Sequence, residues 1–178
     1  MANREALREL QSRLAARLQQ ARTETRVLSW LAVECAGQGL LFPLPTAGEI
    51  FSVGSLVPVP HTQPWFMGVA NLRGGLHGVI DLAAFLGLRE PLALDAVREH
   101  AQILALNSQH GAHCAVLVDS LAGLRSPGQL SAEPAEAGDA PARPAFAGGR
   151  WRDAEGRPWQ EIDLAALARN EQFLAIAA

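Results

Sequence analysis

The sequence predicts a mainly β protein, a small barrel or sandwich, and two observations lead to this fold class. Short apolar runs alternate with turn residues along the chain, which holds 16 Gly and 11 Pro among 178 residues, and this pattern is typical of short strands joined by tight turns. A strand-like segment followed by Asp-Leu-Ala-Ala also occurs twice, at 78–85 and 160–167. The copies lie about eighty residues apart, the size of a small β unit. Either duplication or chance would explain the similarity, and the sequence leaves the two alternatives open.

The composition indicates a globular domain and excludes several kinds of chemistry. Hydrophobic residues make up 49% of the chain, enough to form a core rather than a disordered segment. The formal net charge of −3 gives no electrostatic reason to expect a nucleic-acid partner. The sequence contains no lysine and no tyrosine, so phosphate-loop lysines, Schiff-base lysines and tyrosine acids are excluded.

The cysteines and the hydrophobic runs favour a cytoplasmic protein. Cys35 and Cys114 are the only cysteines, and both lie in apolar, strand-like segments where buried, inert thiols are expected. The N-terminus is charged throughout, unlike a signal peptide. No apolar run approaches the ~18 residues of a membrane span, so stable insertion into a membrane is not expected.

Residues 1–26 predict an amphipathic helix that precedes a β domain at 27–178. Leucines at three- and four-residue steps form one stripe, and six arginines occupy the other positions. Three interpretations remain open: a helix docked on the β domain, a coiled-coil or partner-binding arm, and a membrane-surface helix without aromatic anchors. The leucines are Leu7, Leu10, Leu14 and Leu18.

From Val27 the hydrophobic pattern changes to a period of two, which predicts strands with at least one buried face. Pro43 and Pro45 argue against a long central strand at that point. A loop at 60–64 precedes the apolar run that begins at Trp65. The strands expected before this loop are, in order, 28–35, 40–42, 49–53 and 56–59.

The segment 65–86 predicts a strand, a tight turn, a return strand and a short helix. Gly74 and Gly75 lie between two apolar runs, and glycine readily adopts the positive φ of a hairpin turn. Asp81 lies at the expected N-cap of the helix, where its carboxylate can accept a backbone N–H one turn on. Asp163 has the same position in the second copy.

The second half of the chain predicts further strands and a final helix. Strands are expected at 102–106 and 114–118 from their apolar runs. Segment 127–149, rich in Ala, Pro and Gly, is interpreted as a flexible loop. A turn at 153–156 separates two tryptophan-containing runs. Residues 164–176 are expected to close the chain as a helix.

Few residues fit a catalytic or metal site. His110, His113 and Cys114 are close in sequence, but adjacent strand residues point to opposite faces, and a structural zinc site needs four ligands. Asp81 and Asp163 could act as paired acids, yet helix capping explains both positions. Neither metal nor other cofactor is expected.

Arg73 is the one charged residue in the apolar surroundings of the predicted hairpin. An arginine there either pairs with an internal acid and holds the turn, or projects as a bidentate anchor for a partner. Glu49 is the nearest candidate acid by sequence. The sequence leaves the two alternatives open.

The motifs around this hairpin are similar to those of a known family. Gly-Val-Ala-Asn-Leu-Arg-Gly at 68–74, followed by Val-Ile-Asp-Leu at 79–82, resembles the signature of the CheW-like chemotaxis coupling proteins. The resemblance covers about residues 28–170. Gly78 stands where the family usually has proline, and the sequence looks closer to the PilI-type branch of type IV pilus (twitching motility) chemosensory systems. The long N-terminal helix lies outside the minimal family domain.

The resemblance implies a fold of two intertwined five-stranded SH3-like β-barrels, here with an added N-terminal helix and a C-terminal helix. In motif position, Glu49, Asn71 and Arg73 match residues near the partner-binding surfaces of the family. Val118 and Asp119 would contribute to partner binding from the second barrel.

The resemblance also implies a non-catalytic adaptor. Such a protein joins the cytoplasmic tip of a methyl-accepting chemoreceptor to the regulatory domain of a CheA-type histidine kinase, and it reaches membrane arrays through the receptor. A flagellar-type coupling protein is the nearest alternative, and a small β-barrel ligand-binding module or enzyme is a more distant one. A nucleic-acid-binding barrel is disfavoured because the arginines concentrate in the N-terminal helix rather than on strands.

Overall fold

The computed structural model describes residues 29–97, 99–107, 113–134 and 143–178, and the predicted N-terminal helix lies outside them. Within these ranges the chain is mainly β, as predicted, with short α-helices α1 (Leu82–Phe85), α2 (Leu164–Leu167) and α3 (Glu171–Leu174) and single-turn 3₁₀ helices at Leu94–Ala96 and Pro127–Gln129. The strands are β1 Trp30–Cys35, β2 Gln38–Pro43, β3 Ala47–Ser52, β4 Phe66–Leu72, β5 Gly75–Asp81, β6 Gln102–Leu106, β7 Cys114–Val118, β8 Ser120–Arg125, β9 Leu130–Ala132, β10 Ala147–Asp153 and β11 Pro158–Ile162.

The strands form two sheets: β1, β2 and β8–β11 belong to one, and β3–β7 to the other. The six-stranded sheet has the order β8-β1-β2-β11-β10-β9, and the five-stranded sheet has the order β3-β6-β7-β5-β4. Each sheet therefore contains strands from both halves of the chain, and the intertwining of two barrels stays a prediction. The closure of each sheet into an SH3-like barrel stays a prediction.

The two sheets repeat the same sequence of strand pairings. In one, β1 pairs antiparallel with β2, β2 parallel with β11, and β11 antiparallel with β10. In the other, β6 pairs antiparallel with β7, β7 parallel with β5, and β5 antiparallel with β4. The repeated sequence segments are β5-α1 and β11-α2, so the segments with similar sequences occupy matching positions. This match supports duplication over chance.

The predicted caps position both repeated helices. The side chain of Asp81 accepts a hydrogen bond from the Ala84 N–H at 3.3 Å, and Asp163 accepts from Ala165 and Ala166 at 2.9 and 3.0 Å. Each carboxylate thus satisfies backbone donors that a helix start leaves free.

Three apolar clusters form the core. The largest contains residues of both sheets and all three helices, including Phe42, Ile80 and Leu164. The other two lie against the five-stranded and the six-stranded sheet respectively. Strand β7 contributes to two clusters because its successive residues face opposite sides, and all five of its residues are buried. This explains its uninterrupted apolar sequence.

The structure corrects four local predictions. Segment 56–59 is not a strand: only Val57 pairs, through two 2.9 Å hydrogen bonds with Val69. The flexible loop predicted at 127–149 contains β9 and the start of β10, and β9 gives its sheet a sixth strand. Segment 164–176 holds two one-turn helices rather than one helix, because Asn170 starts the second by capping Phe173 N–H at 3.0 Å. Strand β8 was not predicted.

Candidate partner-binding site

The β4–β5 hairpin turns one residue earlier than predicted. Leu72 pairs with Gly75, so the two turn residues are Arg73, with φ +49°, and Gly74, with φ +85°. Two successive positive φ values define a type I′ turn. Asn71 holds the turn, because its Oδ1 accepts a 2.8 Å hydrogen bond from the Gly74 N–H. The motif Asn-Leu-Arg-Gly therefore sets the shape of the turn and directs Arg73 outward.

A bulge in β3 brings Glu49 to the same place. The pairing of β3 with β6 shifts register between Ala47 and Ile50, and such bulges redirect a side chain. The bulge requires glycine at position 48, since a Cβ there would lie 2.2 Å from the carbonyl oxygen of Ala105. Ala47-Gly48 thus permits the close approach that positions Glu49.

Arg73 and Glu49 form an ion pair across the two edges of the five-stranded sheet. Arg73 Nη1 donates to Glu49 Oε1 at 2.8 Å, while the two side chains remain 75% and 53% exposed. The internal pairing considered from the sequence is present, and the guanidinium still faces solvent. An exposed pair of this kind adds only ~0–1 kcal/mol to stability, so the hairpin does not depend on it.

A cleft of about 480 Å³ lies beside this ion pair. Phe51, Leu72 and Leu106 contribute apolar surface, and His77 contributes an imidazole. The arrangement offers a charged rim beside an apolar depression, which is the pattern of protein-binding surfaces. It offers a partner both charge and shape for recognition.

Val118 and Asp119, which the resemblance implies for partner binding, both make contacts within the protein. Val118 is fully buried in the core, so this residue packs the fold and has no surface to offer a partner. Asp119 accepts hydrogen bonds from the Ala36 N–H at 2.7 Å and from Arg89 Nη1 at 2.5 Å. Its visible role is to hold the β1–β2 turn, and a role in partner binding stays a prediction.

Sequence analysis missed Arg89, the centre of a largely buried network. Its guanidinium donates to Asp119 and also to Asp81 Oδ1, the latter at 2.8 Å. Asp81 is 1% exposed and also accepts from the Leu92 N–H at 3.3 Å. Burial disfavours the Arg89 charge, but the hydrogen bonds and charges of both aspartates outweigh it and raise the pKa of Arg89. Asp81, the N-cap residue of α1, is therefore also a member of a structural ion pair with Arg89.

The cysteines are buried, as predicted. Burial raises the pKa of the Cys35 thiol to about 12, with a contribution from the charge of Asp119, and burial raises that of Cys114 to about 11. Both thiols stay protonated near neutral pH, and a protonated thiol is a poor nucleophile.

The remaining features of the described part of the chain are a second cleft and its possible metal ligands. A cleft of about 620 Å³ beside the β10–β11 hairpin is lined by apolar residues and by arginines. Arg143 donates to Gln160 at 2.8 Å, and Arg152 forms an ion pair with Glu133. In residues 29–97, 99–107, 113–134 and 143–178, no group of three or more His, Cys, Asp or Glu could hold a metal. No helix in these ranges is long and apolar enough to cross a membrane.

Comparison with known proteins decides the family. The profile of the CheW-like domain matches residues 29–172, which include both sheets and the Glu49–Arg73 pair. The chain belongs to the CheW-like domain family. The resemblance seen in the hairpin motif is therefore confirmed over most of the chain.

Two known proteins are similar to this chain, one in sequence and one in structure. Protein PilI of Pseudomonas aeruginosa is 26% identical over 166 residues, which cover 93% of this chain and 89% of PilI. The crystal structure of the scaffolding protein TtCheW from Thermoanaerobacter tengcongensis superposes with a TM-score of 0.61 at 18% identity, covering 76% of this chain and 84% of TtCheW. The structural likeness shows the CheW-like fold.

Gly78 has a specific role in this CheW-like chain. A Cβ at position 78 would lie 2.9 Å from the ring of Phe66, and the Gly78 N–H donates to the His113 carbonyl at 3.0 Å. Proline would fill the space of the Phe66 ring and remove the donor. Glycine at position 78 thus fits the packing and hydrogen bonding of this chain.

Proposed function

We propose that this protein is a non-catalytic adaptor that couples a methyl-accepting chemoreceptor to a CheA-type histidine kinase. The carrying observation is the CheW-like match over residues 29–172, which contains the hairpin that presents Arg73. An adaptor needs accessible surfaces rather than reacting groups, and its affinity comes from buried contacts within a polar rim.

The place where the two edge strands of the five-stranded sheet, β3 and β4, approach each other is the proposed docking surface for one of these partners. Glu49 lies in β3 and Asn71 in β4, and the Glu49–Arg73 ion pair joins the two edges there. Arg73 is mostly exposed, yet its position is fixed by the turn and by Glu49. A pre-positioned guanidinium loses less conformational entropy on binding a carboxylate than a mobile one does.

The proposed pathway is the control of type IV pilus twitching motility. Its support is the similarity to protein PilI, which extends over 93% of this chain. The adaptor would act in the cytoplasm and reach the membrane array through the receptor.

Capture of kinase domains by the purified full chain tests the function and the pathway together. The regulatory domain of the host's pilus-type kinase and that of its flagellar-type kinase are immobilised separately. Selective capture by the pilus-type domain is expected. Capture by the flagellar-type domain alone reverses the pathway, and capture by neither, with a folded protein, contradicts the adaptor function.

Three variants test the surface. Arg73→Ala is expected to weaken kinase capture or kinase stimulation without unfolding the protein, since the ion pair is exposed. Arg169→Ala removes the same charge from an exposed site after α2 and should bind normally.

Glu49→Gln removes the ion-pair partner of Arg73. Retained binding would show that the partner protein contacts Arg73 itself, and a loss equal to that of Arg73→Ala would show that the Glu49–Arg73 pair is required. Unchanged kinase stimulation by folded Arg73→Ala would exclude this residue.

A further inference from the structure

Two histidines lie side by side on neighbouring strands of the five-stranded sheet. Strands β5 and β7 run parallel, and Gly78 is level with Cys114, so the preceding residues, His77 and His113, are level as well. Side chains that are level on adjacent parallel strands share a face and are separated by about the strand spacing of ~4.8 Å. The imidazole rings of His77 and His113 contact each other, with centroids 5.8 Å apart.

The His77 ring is held with one nitrogen free. Its Nδ1 lies 3.0 Å from the carbonyl oxygen of Gly75, which can only accept, so this nitrogen carries the proton in that contact. The neutral ring then has its lone pair on Nε2. Gly75 also leaves room for the ring, since a Cβ there would lie 3.0 Å from His77 Cε1. A backbone carbonyl on the second ring nitrogen is the usual support of a metal-binding histidine.

The His113 side chain is exposed, and exposed side chains change rotamer readily. Two imidazoles bound to one tetrahedral ion at metal–nitrogen distances of ~2.0–2.1 Å have their ring centroids about 5 Å apart. The observed 5.8 Å is within reach of a side-chain rotation.

We propose that His77 and His113 form a binding site for a borderline divalent transition metal, Zn²⁺, Ni²⁺ or Cu²⁺. Imidazole suits these ions, whereas Mg²⁺ and Ca²⁺ prefer oxygen ligands. Water completes the coordination shell. Cys114 is not a ligand, because it follows His113 on the strand and its side chain is buried on the opposite face.

The sequence could not reveal this pair. It drew attention to His110, His113 and Cys114, which are close along the chain, whereas His77 and His113 meet only through the pairing of β5 with β7. The strand register is the deciding observation.

Calorimetric titration of the full chain with Zn²⁺ at about pH 7.5, in a non-chelating buffer, tests the site. One equivalent is expected to bind, with Mg²⁺ giving no signal. His77→Asn and His113→Asn should each weaken Zn²⁺ affinity at least about tenfold, as loss of a ligand or its support does. The exposed histidines His61 and His100 supply matched controls, and His61→Asn and His100→Asn should bind as the parent protein does. Circular dichroism confirms that each variant is folded.

A second readout separates this site from other zinc binding. Imidazole NMR signals of His77 and His113 should shift together and saturate at one equivalent. Parent-like Zn²⁺ affinity in either ligand variant, no binding by the parent protein, or unmoved signals of the two rings would each overturn the proposal.

Discussion

Arg89 joins two carboxylates that come from the ends of different strands. Asp81 ends β5 and caps α1, whereas Asp119 lies between β7 and β8 and holds the β1–β2 turn through Ala36. The guanidinium side chain is 19% exposed, compared with 1% for Asp81. One side chain therefore links the two sheets through a network that solvent barely reaches.

Replacing Arg89 with alanine is expected to destabilise the protein by about 3 kcal/mol, because removing one partner leaves a buried charge unpaired. Urea unfolding followed by circular dichroism measures the change. Arg73→Ala is the matched control, since its ion pair is exposed and is worth at most ~1 kcal/mol. Equal stability of the two variants would contradict the structural role assigned to Arg89.

The single-residue predictions succeeded where a local rule applied. The capping roles of Asp81 and Asp163 follow from their position before a short helix. Arg89 lies eight residues after Asp81 in the sequence. No local sequence rule predicts that the chain after α1 brings Arg89 into contact with the Asp81 carboxylate. The turn was placed one residue late because glycine preference pointed to Gly74-Gly75, whereas Asn71 stabilises a turn with arginine in a left-handed conformation.

Gly78 gives a second test at the residue scale. Gly78→Pro is expected to destabilise the protein by ~1–3 kcal/mol through crowding against Phe66, and it also removes the hydrogen bond to the His113 carbonyl. Gly78→Ala keeps the N–H and should cost less. Thermal unfolding compares the two, and a proline variant as stable as the parent would show that Phe66 relocates freely.

The β10–β11 hairpin is held by one acidic residue in its turn. Asp153 accepts hydrogen bonds from Trp159 Nε1 at 2.9 Å, from the Arg157 N–H at 2.9 Å and from the Glu155 N–H at 3.1 Å. The bond from Trp159 is the main cause that lowers the pKa of Asp153. Burial opposes it as the second-largest effect, and the bonds from the Arg157 and Glu155 N–H groups add further lowering.

The lowered pKa predicts an acid-dependent loss of stability. A group with a lower pKa in the folded state stabilises the fold above its unfolded pKa, near ~3.9 for aspartate, and this contribution is lost as the pH falls through the folded value. Unfolding midpoints measured from about pH 6 to pH 2 should fall more for the parent protein than for Asp153→Asn. Parallel pH profiles would show that Asp153 contributes no pH dependence.

Strands and helices can be predicted from the sequence where a local hydrophobic pattern sets their bounds. Strands β6 and β7 agree with their predicted bounds because continuous apolar runs end at polar turns. Segment 56–59 has the same apolar character, but only Val57 pairs, through an isolated bridge to Val69 of β4. The local sequence pattern does not show how far such pairing extends. Strand β9 lies in a polar, Gly- and Pro-containing stretch and owes its existence to pairing with β10.

Both sheets combine strands from the first and the second half of the chain, an arrangement called here the exchange of strands. Strand β3 follows β2 in sequence but pairs with β6 of the other sheet, and β8 follows β7 but pairs with β1. Neither half of the chain can complete a sheet alone. The similar segments at 78–85 and 160–167 gave the only trace of this symmetry in the sequence. The exchange itself is a long-range property that local patterns do not contain.

The exchange predicts a single cooperative unfolding transition for the β domain. Trp30, Trp151 and Trp159 belong to the six-stranded sheet, so a Trp65→Phe background makes fluorescence report on that sheet. Leu117→Ala creates a cavity at the five-stranded sheet, where Leu117 is 1% exposed, and should cost ~2–5 kcal/mol.

If the sheets unfold together, Leu117→Ala lowers the urea midpoint measured by fluorescence and the urea midpoint measured by circular dichroism by the same amount. Leu124→Ala, at a site 61% exposed, is the control and should move neither midpoint appreciably. A fluorescence midpoint that stays in place while the circular dichroism midpoint falls would mean that the two sheets unfold independently despite the exchanged strands.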